Sequence, residues 1–162
     1  MKNNGFLHLV SLVAALLLAL PTTAQNESIV TLSGNAYITS GHTAFIDEDQ
    51  SAVRNWNDKE TVISFYFRTE KSGDMNIALQ AKGNSKIEVS LLGKKKKITL
   101  ESDELSRIEL GTFKVENPGY IKMDIRGLKI NEGADFGSIA SVMVGGDVCP
   151  VLCVSQDFST HF

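Results

Sequence analysis

Along most of the chain, apolar side chains recur at every second position. Ile63, Phe65 and Phe67 alternate with Ser64, Tyr66 and Arg68, and Met75, Ile77 and Leu79 alternate with Asn76, Ala78 and Gln80. Ile87, Val89 and Leu91, then Ile98 and Leu100, then Ile121, Met123 and Ile125 repeat the pattern. A period of two sends successive side chains to opposite faces, so these runs read as antiparallel strands with one face buried and one in water. Turn chemistry falls between them, at Lys71-Ser72-Gly73-Asp74, Lys82-Gly83-Asn84, Gly93-Lys94 and Asn117-Pro118-Gly119. At Leu110-Gly111-Thr112-Phe113 the alternation slips by one residue, which predicts a β-bulge. Short strands, regular turns and no helical stretch predict an all-β fold, an antiparallel sandwich or jelly roll in one domain.

The longest stretch without a period runs from Gly41 to Glu60 and holds His42, Asp47, Glu48, Asp49, Arg54, Asn55 and Trp56. Long loops in compact domains often carry function. Trp56 is the only tryptophan, set among polar residues just before a strand. It reads either as an exposed platform or as a lid over the open end of a sandwich, and indoles are highly buried on average.

The termini change the picture of where the chain works. Lys2, an apolar run from Phe6 to Leu20, Pro21 and the small residues Thr22-Thr23-Ala24 have the layout of a secretory signal peptide. The division expected is therefore a removed signal over 1–24, a sandwich domain over 25–146 and a short irregular tail over 147–162. The apolar run is short for a transmembrane span, so no membrane span is expected after cleavage, and the location expected is periplasmic or extracellular. The formal net charge is −3, and loss of Lys2 takes it to −4, which offers no positive field for nucleic acid. Cys149 and Cys153 would close only a small disulfide loop in an oxidising compartment. Asp47 and Asp49 raise a structural calcium site as the one cofactor candidate, against a plain solvated acidic turn. Lys94–Lys97 reads as edge protection more than as a polyanion site.

Four stretches, LSGNAYITSG (32–41), TVISFYFRTEKSGDMNIAL (61–79), SKIEVSLLGKK (85–95) and NPGYIKMDIRGL (117–128), resemble an uncharacterised family of exported bacterial domains, the domain of unknown function DUF5077. The resemblance implies a galactose-binding-like β-sandwich of the kind used by carbohydrate-binding modules, usually set before a larger second domain. It carries over no catalytic or binding residue.

Within such a sandwich a sugar meets either the loop end or a sheet face, where aromatic rings supply contact area at small entropic cost. The loop-end candidates are Tyr37, His42, Asn55, Trp56 and Asn57. The sheet-face candidates, taken from the period, are Tyr66, Arg68, Gln80, Tyr120, Asp124 and Arg126. Enzyme chemistry is poorly represented, with no Gly-x-Ser-x-Gly elbow and no His-Glu-x-x-His. The function expected is a non-catalytic module that binds a glycan or polysaccharide or assists its processing. The alternative is a domain that braces a neighbouring catalytic domain or protein, and an independent hydrolase stands third.

Overall fold

A computed structural model of the chain describes residues 27–130 and 134–148. The expected signal peptide (1–24) and the cysteine pair, Cys149 and Cys153, lie outside the described residues. Nine strands follow in order: β1 (Glu27–Thr31), β2 (Ala36–Ser40), β3 (Phe45–Ile46), β4 (Val53–Arg54), β5 (Val62–Thr69), β6 (Gly73–Leu91), β7 (Lys94–Val115), β8 (Gly119–Lys129) and β9 (Ser138–Gly146). All pairings are antiparallel, and no helix occurs among the described residues.

The two longest strands make the sandwich. The first half of β6, Met75 to Lys82, pairs with β9, while its second half, Lys86 to Leu91, pairs with β8. One layer is thus β1-β9-β6 and the other is β6-β8-β5-β2, with β7 running along β6 through both. The inward set is the one the period marks out: Ile63, Phe65, Met75, Ile77, Leu79, Ile87, Val89, Met123 and Ile125 are all buried. Burying each such side chain stabilises the fold by about 1.5–3 kcal/mol before conformational entropy is counted.

Lys82-Gly83-Asn84 is not a turn, as its composition suggested, but the bend inside β6 where the strand changes layers. Register slips between Ala81 and Gly83, and Gly83 has a φ of +148°. A Cβ there would meet the Gly137 Cα at 2.9 Å, so glycine is what allows the bend to pass under the 134–137 segment. Beside it, Gly127 leaves the space that the ring of Phe136 occupies. The predicted bulge is present, with Ile77 opposite Gly111 but Ala78 opposite Glu109, leaving Leu110 unmatched. Lys96, on the edge strand β7, donates from Nζ to the Leu110 carbonyl at 2.6 Å. An inward-reaching lysine on an edge strand hinders pairing with another chain, which agrees with the edge-protection reading of the lysine run. The turn between β6 and β7 is Leu92-Gly93, with φ of +49° and +74°, the hand that matches strand twist.

Gly41–Glu60, read as irregular, is a built structure. It contains the short β3–β4 hairpin and is fastened by two carboxylates. Asp47 accepts from the Ala52 amide at 2.8 Å, from the Ser51 amide at 2.9 Å and from Arg54 Nε at 3.0 Å. Asp58 accepts from the Thr61 amide and hydroxyl, both at 2.7 Å, and from the Thr43 hydroxyl. These bonds stabilise the charged forms: the Ala52 amide above all holds Asp47 below the usual carboxylate range, and the Thr43 and Thr61 hydroxyls do so for Asp58. On the first layer, Glu27 is held low chiefly by its hydrogen bonds from Arg107, at 2.7 and 2.9 Å.

Unfolded carboxylates titrate near 4, so groups whose folded pKa is lower contribute in full above that range. Their contribution is lost as pH falls through the folded values. The thermal midpoint is therefore expected to be flat from pH 7 to about 5 and to drop toward pH 3. Asp58→Asn is expected to flatten that drop in a pH series of thermal scans. An equal drop in the variant would remove Asp58 from the account.

The packed domain continues past Gly146. The Asp147 amide donates to the Asp74 carbonyl at 2.8 Å, and Val148 is buried.

Candidate functional site

Trp56 is fully buried, with its ring 5.2 Å from that of Phe136. The local backbone explains it. Asn55 adopts φ +52°, turning the chain inward, and its Nδ2 is pinned to the Thr43 carbonyl at 2.9 Å. The Trp56 carbonyl then accepts from the Phe136 amide at 2.7 Å, tying the loop to the 134–137 segment. The indole is a lid, and it is not available as a sugar platform.

The rest of the loop-end set scatters. Asn55 borders a cleft of about 540 Å³ at this end, together with Arg54, Lys82, Asn84, Asp103 and Ser138. His42 and Asn57 are exposed but are not part of that lining. Ser138 Oγ is shielded from solvent and has no hydrogen-bond partner, as is Trp56 Nε1. Lys82, Asn84, Asp103 and Ser138 come from strands distant in sequence from Asn55, and none of them was in the loop-end set.

Tyr37 is also misplaced in the loop-end set, because it sits on β2 opposite Ser64 of β5. Its strand alternates like the others, with Ala36 buried and Tyr37 exposed. That alternation was the signal that could have assigned it to the sheet. The Tyr37 ring meets the Tyr66 ring edge-on at 5.9 Å. On the next strand, Lys122 is opposite Tyr66 and Tyr120 is opposite Arg68. The three tyrosines therefore climb diagonally over β2, β5 and β8, one strand across and about two residues along at each step. They are all the tyrosines of the chain. Tyr120 ends the series with 81% of its surface exposed.

Gln80 does not belong to this face. It lies on the first half of β6, opposite Ser141 of β9 and Arg107 of β7, in the other layer. Arg68, Asp124 and Arg126 do belong to it. Beside the tyrosines runs a polar relay. Ser64 donates to Asp124 at 2.5 Å, which leaves Thr39 as the donor in its 2.7 Å bond to Ser64. Lys122 reaches Asp124 at 3.0 Å, and that bond raises the lysine pKa. The relay holds Asp124 in place from β2, β5 and β8.

Asp47 and Asp49, the calcium candidates, both direct oxygens at the Ser51 amide within the 47–52 turn. Among the described residues, no group of three or more His, Cys, Asp and Glu side chains is placed to hold a metal ion. No helix among them is long and apolar enough to cross a membrane.

A family model described as a domain of unknown function (DUF5077) matches residues 30–149. No curated protein matches the chain. Among solved structures, the CBM36-1 domain of a multidomain xylanase from the hindgut metagenome of Trinervitermes trinervoides superposes with a TM-score of 0.57 at 15% identity, over 75% of this chain and 98% of that one. A family 35 carbohydrate binding module from Clostridium thermocellum gives 0.54 at 9% identity, over 74% and 98%. The Podospora anserina GH26-CBM35 β-(1,4)-mannanase gives 0.55 at 12%, over 77% of this chain, which spans 28% of that enzyme's length. At these identities the likeness is one of fold, a β-sandwich of the carbohydrate-binding-module type.

Proposed function

The chain belongs to the DUF5077 family of domains of unknown function, and from that footing we propose that it is a non-catalytic module that binds a polysaccharide on the outer face of the β2-β5-β8 layer. The observation that carries the reading is the tyrosine diagonal Tyr37, Tyr66 and Tyr120, set on one sheet. An extended sugar chain offers C–H faces to rings and hydroxyls to the polar groups between them, here Arg68, Asp124 and Arg126. Residues on strands hold such a spacing better than residues on loops. The fold supports the same reading, since the three structures compared above each carry a carbohydrate-binding module in their names. Export, read from residues 1–24, and service beside a catalytic domain or protein complete the proposal.

The test is affinity electrophoresis of the protein through gels containing a panel of neutral and acidic polysaccharides. The parent is expected to be retarded by at least one of them. Tyr120→Ala is expected to weaken that retardation by roughly tenfold, a loss of about 1.4 kcal/mol, with an unchanged melting temperature because the ring packs on little. Retardation of the variant equal to that of the parent would move the site off this face.

The end cleft is the second reading, favoured by the polar side chains of Arg54, Lys82, Asn84 and Asp103 that border it. It predicts that Asn84→Ala with Asp103→Ala abolishes retardation while Tyr120→Ala preserves it.

A further inference from the structure

The charges on the tyrosine face are far from those of the chain as a whole. The register places Arg68 on β5, Lys122 and Arg126 on β8, Lys86 on β6, and Lys95 and Lys97 on β7 outward on this one layer. Lys129 stands opposite Lys86, and the two line a shallow pocket with Thr99. The carboxylates facing them are Asp124, Glu88 and, at the bend, Glu101. Two of these are engaged, Asp124 by Lys122 and Glu88 by Lys95 at 3.2 Å. Arg68, Lys86, Lys97 and Arg126 have no ion-pair partner among the described residues. The outer face of the other layer is balanced differently, with Arg107 clasped between Glu27 and Glu109.

A protein of formal net charge −3 thus gathers an excess of cations on the face that carries all its tyrosines. Edge protection explains the lysines of β7, but not Arg126, which is paired with β5 on one side and β6 on the other. Arg126 and Lys97 both stand opposite the one carboxylate Glu88, which Lys95 already holds, so the cations outnumber their carboxylates and their clustering is unfavourable unless an anion meets them. Arg68 stands directly across from the exposed ring of Tyr120, where a bound sugar would present its substituents. A guanidinium there suits a carboxylate or sulfate, which it can grip with two donors.

We infer that the ligand of the tyrosine face is an acidic polysaccharide, one bearing uronate or sulfate groups along its length, with Arg68 and Arg126 reading the acid. The inference rests on the glycan-binding reading and adds the charge class of the glycan. Rings set the sugar, and the two arginines together with Lys86 and Lys97 set the preference for its charged form.

Matched probes separate the two levels. Polygalacturonate, alginate and chondroitin sulfate are compared with methyl-esterified polygalacturonate and a neutral β-glucan, using the full chain. At least one acidic polymer is expected to bind about tenfold more tightly at low salt than the neutral probes, and to lose most of that advantage at about 0.5 M salt. Arg68→Gln with Arg126→Gln is expected to remove the preference without shifting the melting temperature, since neither side chain is in an ion pair. Equal binding of neutral and acidic polymers would overturn the charge inference and leave glycan binding standing. No binding to any probe would overturn both. Binding of phosphatidylserine vesicles or DNA as tight as that of the best polysaccharide would also overturn it, because the face would then be answering to charge alone.

Discussion

Trp56→Ala is expected to lower folding stability by about 3–5 kcal/mol, measured as a fall in the urea midpoint at unchanged slope. The indole is fully buried and packs at a tilt against Phe136, whose own ring fills the space left by Gly127. Removing it leaves a cavity that the surrounding backbone cannot close. The loop is fastened by Asp58, Asn55 and the Phe136 amide, and the 134–137 segment is seated on the bend of β6. Small domains have only about 5–15 kcal/mol in hand, so the loss is a large share of the total. Trp56→Phe is expected to recover more than half of it, because a ring still meets Phe136. As the sole tryptophan, Trp56 also reports on itself: its emission should be blue-shifted in the folded state and move to the red on unfolding. Emission typical of water in the folded protein, or an unchanged urea midpoint in the alanine variant, would place the indole outside the core.

The second large effect is expected at Gly137. Its φ is +103°, a region where a side chain is strained, and a Cβ would press on the Gly83 Cα at 2.8 Å and on the Lys82 carbonyl. Both contacts are backbone, so no rotamer can relieve them. Gly137→Ala is expected to cost roughly 3–5 kcal/mol, the sum of strain and overpacking. Gly34→Ala is the control. Gly34 has φ +72° with nothing within 4 Å of the added atom, so it isolates the conformational part, about 1–2 kcal/mol. If the two variants unfolded at the same urea concentration, the close approach of the 134–137 segment to the bend would not be a source of specificity.

Period two was enough to mark which side chains of β5, β6 and β8 face inward, because a layer with one wet face imposes that alternation, whereas β9 is buried nearly throughout and lacks it. It was silent on the bend. Lys82-Gly83-Asn84 has the composition of a turn, and only the pairing partners on either side reveal that one strand continues through it. The same silence misassigned Gln80, whose spacing matches that of Tyr66 although its half of β6 belongs to the opposite layer. Tyr37 was legible in principle, but Ile38, the one strong hydrophobe beside it on its short strand, was outweighed by the polar residues around it. The β3–β4 hairpin is held by carboxylate-to-amide bonds, which leave no periodic trace. The charge of the tyrosine face could not be seen at all. Its members come from β5, β6, β7 and β8, and each looks like an ordinary solvated residue on its own strand.

The pairing of β1 with β9 has a consequence for how such a module is carried. Glu27 lies opposite Gly145, so the chain enters and leaves the domain side by side, on the layer that does not bear the tyrosines. These two points of the described chain therefore share one corner of the sandwich, and the tyrosine face belongs to the other layer. A neighbouring domain joined at that corner could stay close to a polymer held on the far face without standing between the two. The module would then raise the local concentration of its neighbour at the polymer, within the reach that the linker allows.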